Sequence, residues 1–371
     1  MTKTRPPFRA DHVGSLLRSA EVKAARARHA AGEIDAAALR AIEDGAIERV
    51  VQRQEAIGLK SVTDGEFRRG AWHWDFLAGL AGVEEGVGAA APFAGAPAQG
   101  KIVKVTGKLG FDGHPMLDHF RFLKSRVHAT AKMTIPSPTM LVSAMRDWRD
   151  IVDPAVYPDM DEFYADLGRA YNKAVKAFAE AGCTYLQLDD CNLSYLCDPA
   201  ARDRVKARGD DPDAMMESWV KLIDDTLADK PAGLTVSTHI CRGNFRSSWV
   251  ASGGYEPIAE VIFNRMPYDA FFLEYDTDRA GGFEPLRHVP KDGRSAIVLG
   301  LITTKTGMIE DKDVIKHRID AAARYVDLDR LCLSPQCGFA STEEGNVLAE
   351  DDQWAKLGKT VEIAAEVWGE A

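Results

Sequence analysis

Residues 11–19 read D-H-V-G-S-L-L-R-S, a short aliphatic run broken by a Gly14-Ser15 turn. It reads as the first strand of an α/β chain, and its turn chooses between two architectures. An open, doubly wound sheet that binds a nucleotide carries a G-x-G-x-x-G phosphate turn after its first strand, and this stretch has none. Outward from it, apolar runs suited to buried strands recur at 61–66, 131–136, 185–190, 234–240, 270–275, 296–302 and 330–334. Between them, helical spacing of apolar residues predicts helices over 33–57, 159–181, 213–228, 255–264, 311–326 and 350–368. Strands alternating with helices imply βαβ units and a parallel sheet. The expected fold is therefore α/β, a single (β/α)8 TIM barrel over residues 1–371.

One segment breaks the rhythm. Residues 82–100, G-V-E-E-G-V-G-A-A-A-P-F-A-G-A-P-A-Q-G, are too rich in Gly, Ala and Pro to hold a helix face. K-I-V-K-V-T-G-K-L-G-F-D-G follows with strand-like alternation and turn residues. Residues 82–114 are expected to form a loop and hairpin inserted after the second strand, either a lid or a surface excursion.

The chain of 371 residues has 46 Lys+Arg against 56 Asp+Glu, a formal net charge of −10. That balance, with no long basic block, argues against nucleic acid and anionic membrane surfaces as partners. No apolar run approaches the roughly 18 residues that would span a bilayer. The basic start M-T-K-T-R-P-P-F-R-A-D-H-V-G-S lacks a secretory apolar stretch, so a cytoplasmic location is expected. The six cysteines (183, 191, 197, 241, 332 and 337) form no C-x-x-C pair and are too sparse for a disulfide scaffold. They are expected as free thiols or metal ligands.

Barrel proteins carry their reactive groups at the carboxyl ends of the strands, so those ends are the informative positions. The fifth strand ends T-H-I-C, and His239 and Cys241, two apart, point to one face. The sixth ends F-L-E-Y and offers Glu274; the eighth runs into S-P-Q-C-G and offers Cys337. The separations of 33 and 63 residues (274 − 241 and 337 − 274) suit about one and two βα units, which puts these residues at one mouth. One nitrogen, two sulfurs and one carboxylate oxygen make a set suited to Zn²⁺.

Taken together, H-V-G-S-L-L-R, T-D-G-E-F, L-Q-L-D-D, H-I-C-R-G-N, F-F-L-E-Y-D and L-S-P-Q-C-G-F resemble the catalytic barrel of cobalamin-independent methionine synthases. The likeness is to the short, single-barrel members and covers nearly the whole chain. It implies zinc on His239, Cys241, Glu274 and Cys337, the four residues reached by spacing. It also implies that Ser15, Glu66 and Asp189 hold the amino-acid end of homocysteine, with Glu66 and Asp189 serving catalysis as well. Asp190 is the rival of Asp189, because alternation turns only one of them inward. The implied activity is zinc-dependent transfer of a methyl group to the thiol of homocysteine, giving methionine. Its partners are those small-molecule substrates.

Two departures fall on the donor side. Full-length family members carry an additional N-terminal half, whereas this sequence opens near H-V-G-S. Where they carry D-I-H-S-P, this chain reads G-L-I-T-T-K at 300–305, without histidine. The donor is thus left open between methyltetrahydrofolate, another folate, and a methylcorrinoid on a partner protein. Rival readings are zinc-dependent alkyl transfer to another small thiol, as in epoxide opening, a corrinoid-dependent methyltransferase, and a non-catalytic barrel. Trp72, His73, Trp74, Phe76 and Trp249 either stack on a planar donor or pack the insertion. His12 is expected as a strand-wall residue, Arg242 and Lys305 as solvated rim charges, and Cys183, Cys191, Cys197 and Cys332 as structural thiols.

Overall fold

A computed structural model of the chain describes residues 3–89, 93 and 99–371. Its strands are β1 (Ser61–Val62), β2 (Ala81–Ala89), β3 (Gln99–Gly110), β4 (Thr130–Pro136), β5 (Tyr185–Asp190), β6 (Thr235–Ile240), β7 (Ala270–Glu274), β8 (Ala296–Ile302) and β9 (Leu331–Pro335). Seven of them form one parallel sheet in the order β1-β4-β5-β6-β7-β8-β9. β5, β7, β8 and β9 are buried at every position, as strands covered on both faces must be. Helices Met160–Glu180, Pro212–Leu227, Glu256–Arg265 and Lys312–Ala322 lie between successive strands, and Glu350–Trp368 closes the chain. The first of these buries Phe163, Leu167, Tyr171, Val175 and Phe178, spaced by three and four residues on one face. Each such side chain contributes about 1.5–3 kcal/mol relative to exposure.

The eighth barrel position is held differently from expectation. Residues 11–16 form no regular strand; the ladder there is a single parallel bridge, Ala10 to Leu333. Asp11 N–H donates to Leu333 O at 3.0 Å, and Leu333 N–H to Arg9 O at 2.8 Å. Toward β1 the bonds come mostly from side chains: Ser61 Oγ to Asp11 Oδ1 at 2.7 Å and Thr63 Oγ1 to Gly14 O at 2.6 Å. Gly14, at φ +140°, bends the segment out of extended geometry, and a Cβ there would meet the Thr134 methyl at 2.7 Å. The second predicted strand is likewise cut to two residues before the turn at Gly65.

Residues on one face of successive strands lie inside the curl. Tyr185, Phe272, Val298 and Cys332 form a cluster there with Val13. Lys132 and Asp11, both with fully buried side chains, pair at 3.1 Å beside it, and the ammonium also lies over Tyr185 and Phe272. Cys332 is thus a packing residue, as expected.

Among the described residues, three helices longer than a single turn escaped the sequence reading: Ala20–Ala30, Pro115–Arg126 and Pro199–Ala207. The first buries only Val22 and Ala25, too narrow a stripe to register as a period. The insertion is an antiparallel hairpin of β2 and β3. Residues 82–89, expected as loop, are strand because Val83 and β3 residues Val103 and Val105 give the pair a buried face. Residues 90–92 and 94–98 of the predicted loop lie outside the described residues. Phe93 is described, and its ring centroid lies 5.7 Å from that of Phe245 in the loop after β6. Among the described residues, no helix is long and apolar enough to cross a membrane.

Candidate active site

The period-two alternation of the strands delivers the site. Tyr185, Gln187 and Asp189 share the inward face of β5, Ser237 and His239 that of β6, and Phe272 and Glu274 that of β7. Register sets Asp189 beside His239, and His239 beside Phe272. Cys241 follows β6 by one residue and Cys337 follows β9 by two. One donor atom from each of His239, Cys241, Glu274 and Cys337 lies within 4.8 Å of the others, and all four residues are buried. The two sulfurs are 3.6 Å apart, and His239 Nε2 lies 3.7 Å from Glu274 Oε1.

Surrounding groups hold these side chains. His239 Nε2 is 2.9 Å from Gln336 O and Nδ1 is 3.4 Å from Asp189 Oδ1. Glu274 Oε1 accepts from Arg242 N–H at 3.0 Å and Oε2 from Arg279 Nη2 at 2.9 Å. Gly243 N–H donates to Cys241 Sγ at 3.3 Å. Such outer partners orient metal ligands and tune them. Burial disfavours an imidazolium at His239, yet Asp189, Cys337 and Glu274 outweigh it and push its pKa up to about 9. The Cys241 thiol is pushed well above its ordinary range, first by Cys191 and then by burial; Cys337 is pushed up by Cys241 and by burial. Two thiols, an imidazole and a carboxylate at these separations fit a tetrahedral dication, whose charge would reverse these shifts.

Ser15, Glu66 and Asp189 open on the same cleft, with Val13, Trp72, His239, Cys241, Cys337, Gly338 and Ser341 completing its wall. Glu66 stands at φ +60°, a left-handed backbone that non-glycine residues rarely adopt. Its Oε1 accepts from Thr134 Oγ1 at 2.7 Å and lies 3.3 Å from Arg69 Nη1. Oε2 is buried and has no partner among the described residues. Burial, and beyond it the facing Asp189, push the Glu66 carboxyl up, against the pull of Arg69. Two carboxylates thus line one cleft, and one oxygen of Glu66 is buried there without a partner among the described residues. Asp190 points the other way, accepting from Thr139 Oγ1 at 2.6 Å and Leu193 N–H at 2.9 Å, so Asp189 is the inward residue.

The sequence reading missed Val13, Gly338 and Ser341 as cleft residues and Arg279 as the Glu274 partner. It misjudged Arg242 and Lys305, which are not solvated rim charges but 0% and 7% exposed. His12 is buried against Ser61 O at 3.2 Å, a wall residue as expected. Trp72 lines the cleft and is half-buried, whereas Trp249 is 51% exposed beneath Arg279. A larger depression of about 360 Å³ shares no lining residue with this cleft. Its Arg26 and Arg68 are already paired with Glu43, Asp44 and Glu343.

A parallel α/β barrel with a sulfur-rich cluster of candidate metal ligands at the carboxyl ends of its strands defines a recognisable class of barrel protein. Residues 139–366 match the family described as "Cobalamin-independent synthase, Catalytic domain", and the chain belongs to that family. The matched span contains all four candidate ligands and Asp189; Ser15 and Glu66 precede it. YxjH of Bacillus subtilis, an uncharacterised protein, is 52% identical over 366 residues, 98% of this chain and 96% of its own. A Listeria monocytogenes crystal structure, provisionally assigned as a vitamin-B12 independent methionine synthase, superposes with a TM-score of 0.81. It is 42% identical and covers 99% of this chain and 100% of its own. A B12-independent methionine synthase from Shewanella shares the fold, with a TM-score of 0.70 at 17% identity over 97% of each chain. The 5-methyltetrahydropteroyltriglutamate–homocysteine methyltransferase of Bacillus velezensis is 24% identical over 91% of this chain, which spans 40% of that relative.

Proposed function

We propose that the protein is a zinc-dependent S-methyltransferase that methylates the thiol of homocysteine to give methionine. His239, Cys241, Glu274 and Cys337 would hold the ion. When bound, zinc supplies the Lewis acidity that turns a thiol, only a few per cent ionised at neutral pH, into a nucleophilic thiolate.

The chain's own residues account for the rest of the acceptor. Its ammonium sits between Glu66 and Asp189, where the unpartnered Glu66 Oε2 accepts one of its protons. Among the described residues Ser15 Oγ accepts only from Ala340 N–H, at 3.4 Å, which leaves its own proton for the acceptor's carboxylate. Fixing both ends of the amino acid holds the sulfur in line with the methyl group, an advantage of several kcal/mol in avoided entropy loss. The cleft of about 20 Å³ is far smaller than an amino acid, so a wall side chain moves on entry. Trp72 is the lining residue that is only half-buried, and it is the side chain expected to move.

The observation that carries this reading is the buried Glu66 oxygen without a partner among the described residues, on a side chain that lines the same cleft as His239, Cys241 and Cys337. A thiol lacking an amine would leave that oxygen without a role, which disfavours transfer to a simple thiol. The test is methionine formation by zinc-loaded protein from homocysteine and a panel of donors: methyltetrahydrofolate, its triglutamate and methylcobalamin. Methionine that appears with at least one donor and vanishes with Cys241→Ala supports the proposal. No methionine with any donor, together with no measurable homocysteine binding, refutes it.

A further inference from the structure

Lys305 lies in the loop after β8, buried rather than solvated, and is joined to the cleft through two other side chains. Its ammonium donates to Asn244 Oδ1 at 2.9 Å and to Gly243 O at 3.4 Å. An ammonium has donors only, so the amide oxygen of Asn244 must face it. The amide nitrogen then donates to Gly338 O at 2.9 Å and to Ser341 Oγ at 3.1 Å. A carbonyl only accepts, so the amide orientation is fixed from both ends rather than from one ambiguous contact. Ser341 Oγ therefore accepts from Asn244 and must place its own proton elsewhere. Among the described residues that oxygen makes no other hydrogen bond, and Ser341 lines the cleft with Ser15, Glu66 and Asp189. Lys305, Asn244 and Ser341 are 7%, 6% and 8% exposed, so bulk water competes little for this relay.

We propose that Ser341 is a substrate-binding residue whose hydroxyl donates to the acceptor's carboxylate, and that Lys305 is the positioning residue that sets its direction through Asn244. This rests on the amino-acid thiol reading above and extends it. The free hydroxyl proton calls for an acceptor; the ammonium, a donor only, is already served by Glu66 and Asp189, and the sulfur is taken by the metal-ligand end. The carboxylate is the acceptor group that remains. Ser15, whose proton is free for the same reason, gives its second oxygen a second donor.

The test compares L-homocysteine with 3-aminopropane-1-thiol, the same chain without the carboxylate, by calorimetric titration of zinc-loaded protein. Ser341→Ala and Lys305→Met are expected to weaken homocysteine binding about ten- to a hundred-fold, the loss of a hydrogen bond to a charged group. Both should bind the aminothiol within about two-fold of wild type and keep full zinc content. Lys305→Arg, which retains a cationic donor, should recover most of the homocysteine affinity. Unchanged homocysteine binding by Ser341→Ala, or equal losses for both thiols, overturns the assignment of the hydroxyl. Wild-type protein that binds neither thiol overturns the proposed acceptor itself.

Discussion

Glu66→Gln isolates the charge of the residue that the proposed function leans on most. Glutamine is nearly isosteric, and its carbonyl oxygen can still accept from Thr134 Oγ1 and Arg69, the two contacts made by Oε1. Arg69 also donates to Thr134 O and Trp72 O, so the change does not strand it. What disappears is the unpartnered oxygen, replaced by an amide that donates toward an ammonium. A hydrogen bond to a charged group contributes about 1.5–3 kcal/mol, and Asp189 remains to share the cation. Homocysteine affinity should therefore fall about ten- to a hundred-fold. Calorimetric titration of zinc-loaded protein measures it, with metal content determined on the same samples and 4-mercaptobutyrate, which lacks the amine, as control. The variant should keep its zinc and bind the control as well as wild type does. An unchanged homocysteine affinity would falsify the claim that Glu66 receives the ammonium.

Gly338→Ala puts a Cβ 1.9 Å from Ser15 Oγ, so Ser15 must move. We expect a loss of about 1–3 kcal/mol in denaturant unfolding and weakened homocysteine binding; wild-type values for both would mean that the close approach is not real. Asp11→Ala leaves the Lys132 ammonium buried without its carboxylate and should cost about 3–5 kcal/mol, read from the same unfolding curves. His12 gives a pH signature. Burial, then Lys132, pushes its pKa down to about 4, below the unfolded value near 6.5. The unfolded chain thus binds more protons between these limits, and stability falls as pH drops from about 6.5 toward 4. Glu66 and Asp190, pushed up by burial, act in the opposite sense, so the His12 contribution is read by difference. Between pH 7 and pH 5, wild type should lose about 2 kcal/mol more than His12→Asn, and equal losses would place the imidazole in a solvated setting.

Much of the barrel was legible because its later strands are continuous apolar runs bounded by turns. β5 and β8 match the predicted spans, β6 and β7 differ by one residue at one end, and β9 is shifted by one residue. The convergence of His239, Cys241, Glu274 and Cys337 was legible for the same reason: once strands are known, period-two alternation says which residues face inward. The first strand was not, because Asp11, Ser61 and Thr63 side chains replace the ladder there, and side-chain bonds between residues about 50 positions apart leave no period. The Lys305–Asn244–Ser341 relay was hidden likewise, its members scattered over three loops. Lys305 and Arg242 looked like rim charges because charge predicts exposure unless a fold supplies acceptors or an aromatic face, here Asn244 for one and Tyr255 for the other. For Phe93, composition gave no sign that part of an Ala/Gly-rich tip reaches the loop after Cys241.

The proposed function requires one buried ion held among an imidazole, a carboxylate and two sulfurs. X-ray absorption at the zinc edge of purified protein measures it directly. We predict about one zinc per chain with two sulfur neighbours near 2.3 Å and two lighter neighbours near 2.0–2.2 Å, falling to one sulfur or to no bound metal in Cys337→Ala. Zinc surrounded by light atoms alone, or an identical spectrum and content in the variant, would contradict it.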